Sequence, residues 1–93
     1  MNEQIAEALG ILQEECAEVI QEVSKIRRFG LNSISHHTGV SHGTTLEMEI
    51  GDLLCLVDYL VDKEIITEFG LELAKKEKQF KLMKWSKLYD EQT

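Results

Sequence analysis

Ile5, Leu9, Leu12, Cys16, Val19, Val23 and Ile26 succeed one another by alternating steps of four and three. That spacing returns an apolar side chain to one side of a helix at every turn, and it matches neither the two-residue period of a strand nor a loop. Leu46, Ile50, Leu53, Val57 and Leu60 repeat it, with Leu54 and Val61 widening the face. The chain has no proline to break helices of this length. An all-α class is therefore expected, with long antiparallel helices forming a bundle. Ninety-three residues bury a modest fraction of their surface, so homo-oligomerisation is the expected way to complete the core.

The punctuation sets the boundaries. The first helix should stop near Phe29, because Gly30 can take a left-handed conformation and Lys25, Arg27 and Arg28 suit the negative end of the helix dipole. Residues 30–43, GLNSISHHTGVSHG, hold three glycines and no sustained period, and read as a long loop of the kind that often carries function. Thr44 followed by Glu47 has the capping-box pattern and marks the expected start of the second helix. After the pattern slips across 63–70, Leu71, Leu73, Ala74, Phe80, Leu82, Trp85 and Leu88 point to a third long helix ending near Tyr89. A single domain over residues 1–93 is expected.

Composition removes several functions. A formal charge of −7 works against stable nucleic acid binding, which depends on counter-ion release by Lys and Arg. No apolar run approaches a membrane span of about 20 residues, and MNEQIAEALG carries acids where a secretory signal carries basic groups. A cytoplasmic protein without a membrane partner is expected. Cys16 and Cys55 form no CxxC or Cys/His spacing and are expected to be buried free thiols.

Against this helical background, EECAEV at residues 14–19 crowds Glu14, Glu15 and Glu18, and like charges at helical neighbour spacing repel. EMEIGD in the second helix gives Glu49 and Asp52 the same i, i+3 spacing as Glu15 and Glu18. Each of these four acids stands one position before a seam residue, rotated about 100° from the seam in the same sense. Antiparallel packing then brings two carboxylate pairs to one flank of a helix–helix interface. Four anions in a partly dehydrated cleft call for a divalent cation, and oxygen-only donors favour Mg²⁺ or Mn²⁺ over zinc or copper.

EECAE followed by EIGD resembles the EExxE…ExxD signature of the MazG-like all-α nucleoside triphosphate pyrophosphohydrolases. KIRRFG and LEMEIGDLL are similar to short single-domain members, including phage-encoded ones, which would work in the host cytoplasm. The resemblance covers roughly residues 5 to 85. It implies an all-α dimer or tetramer that holds Mg²⁺ on acidic residues and hydrolyses a nucleoside triphosphate to monophosphate and pyrophosphate, for nucleotide-pool control or housecleaning. Carried onto this chain, the metal ligands would be Glu15, Glu18, Glu49 and Asp52, with Glu14 positioning water or a second ion. The gap between Glu18 and Glu49 is longer than in many members. Either Glu14 or Glu15 can serve as the proton acceptor.

Phosphate also needs cations. Lys25 lies seven residues beyond Glu18 on the same stripe and Arg28 one turn further; both also suit a helix C-terminus without any ligand. Six of the ten basic residues crowd the last helix, mostly as a solvated face, and within that run Lys75 and Lys78 resemble phosphate-binding positions of the family. His36, His37 and His42 lack the partners of a tetrahedral zinc site and suit a solvated loop or one covering the base. Trp85 suits an oligomer interface, or else stacking on a base. Two rival functions share this pattern: a helical interaction module whose acids are surface charge, and an enzyme of the same fold acting on another phosphoanhydride such as phosphoribosyl-ATP.

Overall fold

Asn2 opens the first helix by accepting a hydrogen bond from the Ile5 amide, and Gly30 closes it at φ 92°, its amide donating to the Ile26 carbonyl. The computed structural model describes residues 1–91, so the last two positions of the expected 1–93 domain lie outside the described residues. Helix α1 spans Glu3–Phe29, α2 spans His42–Asp62 and α3 spans Glu68–Trp85. The described residues form no strand, and no helix is long and apolar enough to cross a membrane. Gly30 adopts an extended left-handed conformation (ψ 160°) instead of the helical one, which still requires a positive φ that glycine tolerates.

Helices α1 and α2 pack antiparallel: Glu22 meets His42, Glu15 meets Glu49 and Asp52, and Ala8 and Ile11 share a groove with Cys55 and Leu56. The inward stripe of α1 runs through Ile5, Ala8, Leu12, Glu15, Val19, Glu22 and Ile26. Three of the seven expected seam residues are therefore turned away, since Leu9, Cys16 and Val23 are exposed while their neighbours Ala8, Glu15 and Glu22 face α2. The same turn occurs in α2, where Ile50 is exposed and Glu49 half-buried. The buried Glu22–His42 contact fixes this rotation, because Glu22 can reach His42 only from the inward face of α1. Both cysteines are exposed in consequence, contrary to the expected buried thiols.

Three sequence boundaries also move. Ser41, not Thr44, caps α2, its hydroxyl accepting from the Thr44 amide, so the helix begins at His42. The connecting segment is shorter than 30–43 and is folded. An antiparallel bridge joins Ile34 to Ser41, and the Ser35 and Gly39 amides donate to the Val40 and Ser35 carbonyls. Helix α3 starts after Thr67, whose hydroxyl accepts from the Gly70 amide, and ends at Trp85 instead of near Tyr89. There Ser86 has extended backbone and its hydroxyl donates to the Leu82 carbonyl.

The chain packs openly. Only Ile5, Ala8 and Leu60 are buried apolar residues among those described, and α3 buries none. Helix α3 makes no extensive contact with α1 or α2. The radius of gyration is 16.2 Å, where a compact chain of this length has about 12 Å. Ile20, Phe69, Phe80 and Trp85 are at least two-thirds exposed.

Candidate metal centre

Helix periodicity puts Glu15 on the inward stripe of α1 and Glu49 on that of α2, with Asp52 one turn further along α2. Antiparallel packing brings one carboxylate oxygen from each of Glu15, Glu49 and Asp52 within 4.8 Å of one another. The expected flank position is thus corrected: Glu15 and Glu49 stand in the interhelical seam itself, half-buried, and only Asp52 is exposed. Glu18 lies outside this tight trio. It lines the adjoining pocket with Glu49, and its charge acts on both Glu15 and Glu49.

The electrostatics follow from this placement. Partial burial pushes the Glu15 carboxyl above its ordinary range, helped by the negative charges of Asp52, Glu18 and Glu14. Glu49 is raised in the same way, first by burial and then by Glu18, Asp52, Glu15 and Glu22. Among the described residues, no Lys or Arg forms an ion pair with Glu15, Glu18, Glu49 or Asp52. The trio offers only oxygen donors, two of them half-buried, which is the donor chemistry of a hard divalent cation such as Mg²⁺ or Mn²⁺.

Beyond the trio, the cleft changes character. A pocket of about 300 Å³ opens beside Glu18 and Glu49 and runs between Gln21, Lys25 and the loop residues Ser35, His37 and Thr38. Lys25 also borders a second cavity of about 210 Å³, with Arg28, Phe29, His36 and His42. Arg28 is engaged locally: its guanidinium lies 5.1 Å over the Phe29 ring, and its Nε donates to the Ser24 carbonyl at 3.4 Å. Lys75 and Lys78 sit on α3 beside Leu71, Leu82 and Tyr89, and Lys75 is paired with Glu72 at 2.9 Å. The fold therefore gathers Lys25 next to the acids and keeps Lys75 and Lys78 apart from them.

The histidines divide. His36 and His37 are exposed on the loop, as expected, but His42 is buried at the first position of α2. Its Nδ1 lies 2.6 Å from Glu22 Oε1, and its ring stacks on Phe29 with centroids 6.2 Å apart. Sequence reasoning missed this pair. The available signal was Glu22, which continues the Glu15 and Glu18 stripe at i+7 and i+4. Trp85 is exposed and lines neither cavity beside the acids. No protein-family model, curated protein or solved structure matches the chain.

Proposed function

We infer that the chain is a Mg²⁺-dependent hydrolase that converts a nucleoside triphosphate, ribo or deoxy, to the monophosphate and pyrophosphate, as the resemblance to MazG-like enzymes implies. The observation that carries this reading is the convergence of Glu15, Glu49 and Asp52 from two antiparallel helices with no Lys or Arg paired to them among the described residues. Unneutralised carboxylates at that spacing repel, so the arrangement favours binding of a cation. A bound divalent ion would neutralise phosphate oxygens and lower the pKa of an attacking water.

Each residue then has a task. Glu15, Glu49 and Asp52 hold the cation, and Glu18 extends the anionic wall toward the pocket. Glu14 adjoins Glu15 outside the tight trio and is free to accept the proton of the water attacking the α-phosphorus. As that oxygen–phosphorus bond forms, the bond from the α-phosphorus to the bridging oxygen breaks, and the electron pair leaves with pyrophosphate. Lys25 borders the same cleft and offsets negative charge on the phosphates. Arg28 lies one turn further, at the edge of the second cavity.

The functional unit in this reading is a homodimer or homotetramer. Support comes from the open protomer and from the exposed Leu9, Cys16, Ile20 and Val23 side of α1, together with the largely unburied α3. In such an assembly α3, with Lys75 and Lys78, can meet the acidic helices of another copy. The test is incubation of the purified protein with a panel of ribo- and deoxynucleoside triphosphates and Mg²⁺, with product identification. Monophosphate plus pyrophosphate from at least one substrate is expected, and no product across the panel from folded protein would sink the reading. Including phosphoribosyl-ATP in the panel distinguishes the same-fold rival.

A further inference from the structure

The buried polar residues of this protein outnumber its buried apolar ones among those described, and all four meet in one place. Glu22, Ser35, His42 and Thr45 lie where the 31–41 segment and the first turn of α2 close over α1. Glu22 and His42 are the anchor, with side chains 5% and 7% exposed and a 2.6 Å contact across 20 residues of sequence. Around them the segment is tied down by backbone and hydroxyl bonds. The His42 and Gly43 amides donate to the Ser33 and Leu31 carbonyls, and the Thr38 and Thr45 hydroxyls share a hydrogen bond at 2.8 Å. Apolar burial contributes little, because Leu31, Ile34 and Val40 are all exposed.

This polar knot is also a wall. On its outer side lies the 300 Å³ pocket bounded by Gln21, Lys25, Ser35, His37 and Thr38, whose mouth is shared with Glu18 and Glu49. Gln21 is six residues beyond Glu15, about 9 Å along the helix axis. A molecule whose phosphates sit at the acidic trio can therefore place its next group in the pocket. The volume is at the lower end of small-molecule sites, about 300–1,000 Å³. The lining combines the carboxylates of Glu18, Glu22 and Glu49 with amide, hydroxyl, imidazole and ammonium groups and has no Phe, Tyr or Trp, so recognition there is by hydrogen bonds to polar edges.

We propose that the 31–41 hairpin, fixed against α1 by the Glu22–His42 pair, forms the nucleoside subsite. Gln21 and Thr38 present hydrogen-bonding groups to the ligand, the buried Ser35 backs the wall behind them, and Glu22 and His42 act as positioning residues. The proposal rests on reading the acidic trio as the phosphate end of a triphosphate site. A pocket built to hydrogen-bond its ligand discriminates strongly against analogues that leave those groups unpaired.

The test compares two ligands in the presence of Mg²⁺ by calorimetry: a panel of non-hydrolysable nucleoside triphosphate analogues, and inorganic tripolyphosphate. Gln21→Ala alters an exposed position outside the hairpin and keeps the test independent of its folding, whereas Thr38→Val also removes the bond to Thr45 and is paired with a melting-temperature measurement. Each is expected to weaken the best-bound analogue about 10-fold and to flatten preference across the panel, while tripolyphosphate affinity stays within about twofold. Glu22→Ala should behave likewise, and Glu22→Gln, which keeps an acceptor for His42, should restore affinity. Wild-type nucleotide affinity and preference in Thr38→Val and Gln21→Ala would overturn the subsite while leaving the hydrolase reading intact. Failure of both nucleotide and tripolyphosphate to bind wild type would overturn both.

Discussion

Glu15 and Glu49 are acids whose protonated forms the fold favours, and the sign of that effect can be measured. Their folded-state pKa values lie above the ordinary carboxylate value, so between the two values the folded state binds more protons than the unfolded chain. Their contribution to stability therefore falls as pH rises through that window toward neutrality. Without divalent ions, the melting temperature should rise on acidification from neutral pH until other carboxylates protonate; a monotonic fall would contradict the placement. Mg²⁺ should stabilise most at neutral pH and lose its effect as these acids protonate. Asp52→Asn should melt no lower than wild type without metal yet lose at least about 100-fold in turnover, the upper range for disturbing even an outer-shell partner. Glu18→Gln, outside the trio, should keep the fold and weaken Mg²⁺ binding by about 10-fold. All four acids were legible as a set from matched i, i+3 spacing. Their order of closeness was not, because it depends on how each helix is rotated, which a repeat with apolar residues on two sides leaves open.

At the scale of elements, that rotation is set by one buried contact. Leu9, Cys16 and Val23 fit an apolar seam as well as Ala8, Glu15 and Glu22 fit a polar one, and periodicity cannot choose between them. The Glu22–His42 pair chooses, and it joins residues too distant in sequence for any local pattern to connect. His42→Ala should destabilise the protein by about 1.5–3 kcal/mol, as for a buried hydrogen bond to a charged partner, measured by urea unfolding. The cap of α2 is the second discriminating position. Ser41→Ala should cost about 1 kcal/mol and Thr44→Ala distinctly less, the reverse of what the Thr44–Glu47 spacing suggests. Gly30 leaves few alternatives to an end of α1 at Phe29, whereas α3 follows a slip of the pattern across 63–70 and has a diffuse apolar pattern of its own.

The whole molecule is expanded for its length, and its apolar surface lies on the outer side of α1 and along α3. We expect concentration-dependent assembly to two or four copies of the 10.7 kDa chain, seen by sedimentation equilibrium. Ile20→Asp, at a side chain 69% exposed in the protomer, should shift it toward monomer. The trio's geometry comes from α1 and α2 alone, so the proposed cation site can be tested directly. Mn²⁺ titrated at neutral pH, with free ion followed by its paramagnetic resonance signal, should bind saturably to wild type, be displaced by Mg²⁺, and bind at least about 10-fold more weakly to Asp52→Asn. Absence of saturable binding, or equal binding by the variant, would contradict the assignment of Glu15, Glu49 and Asp52 as a metal centre.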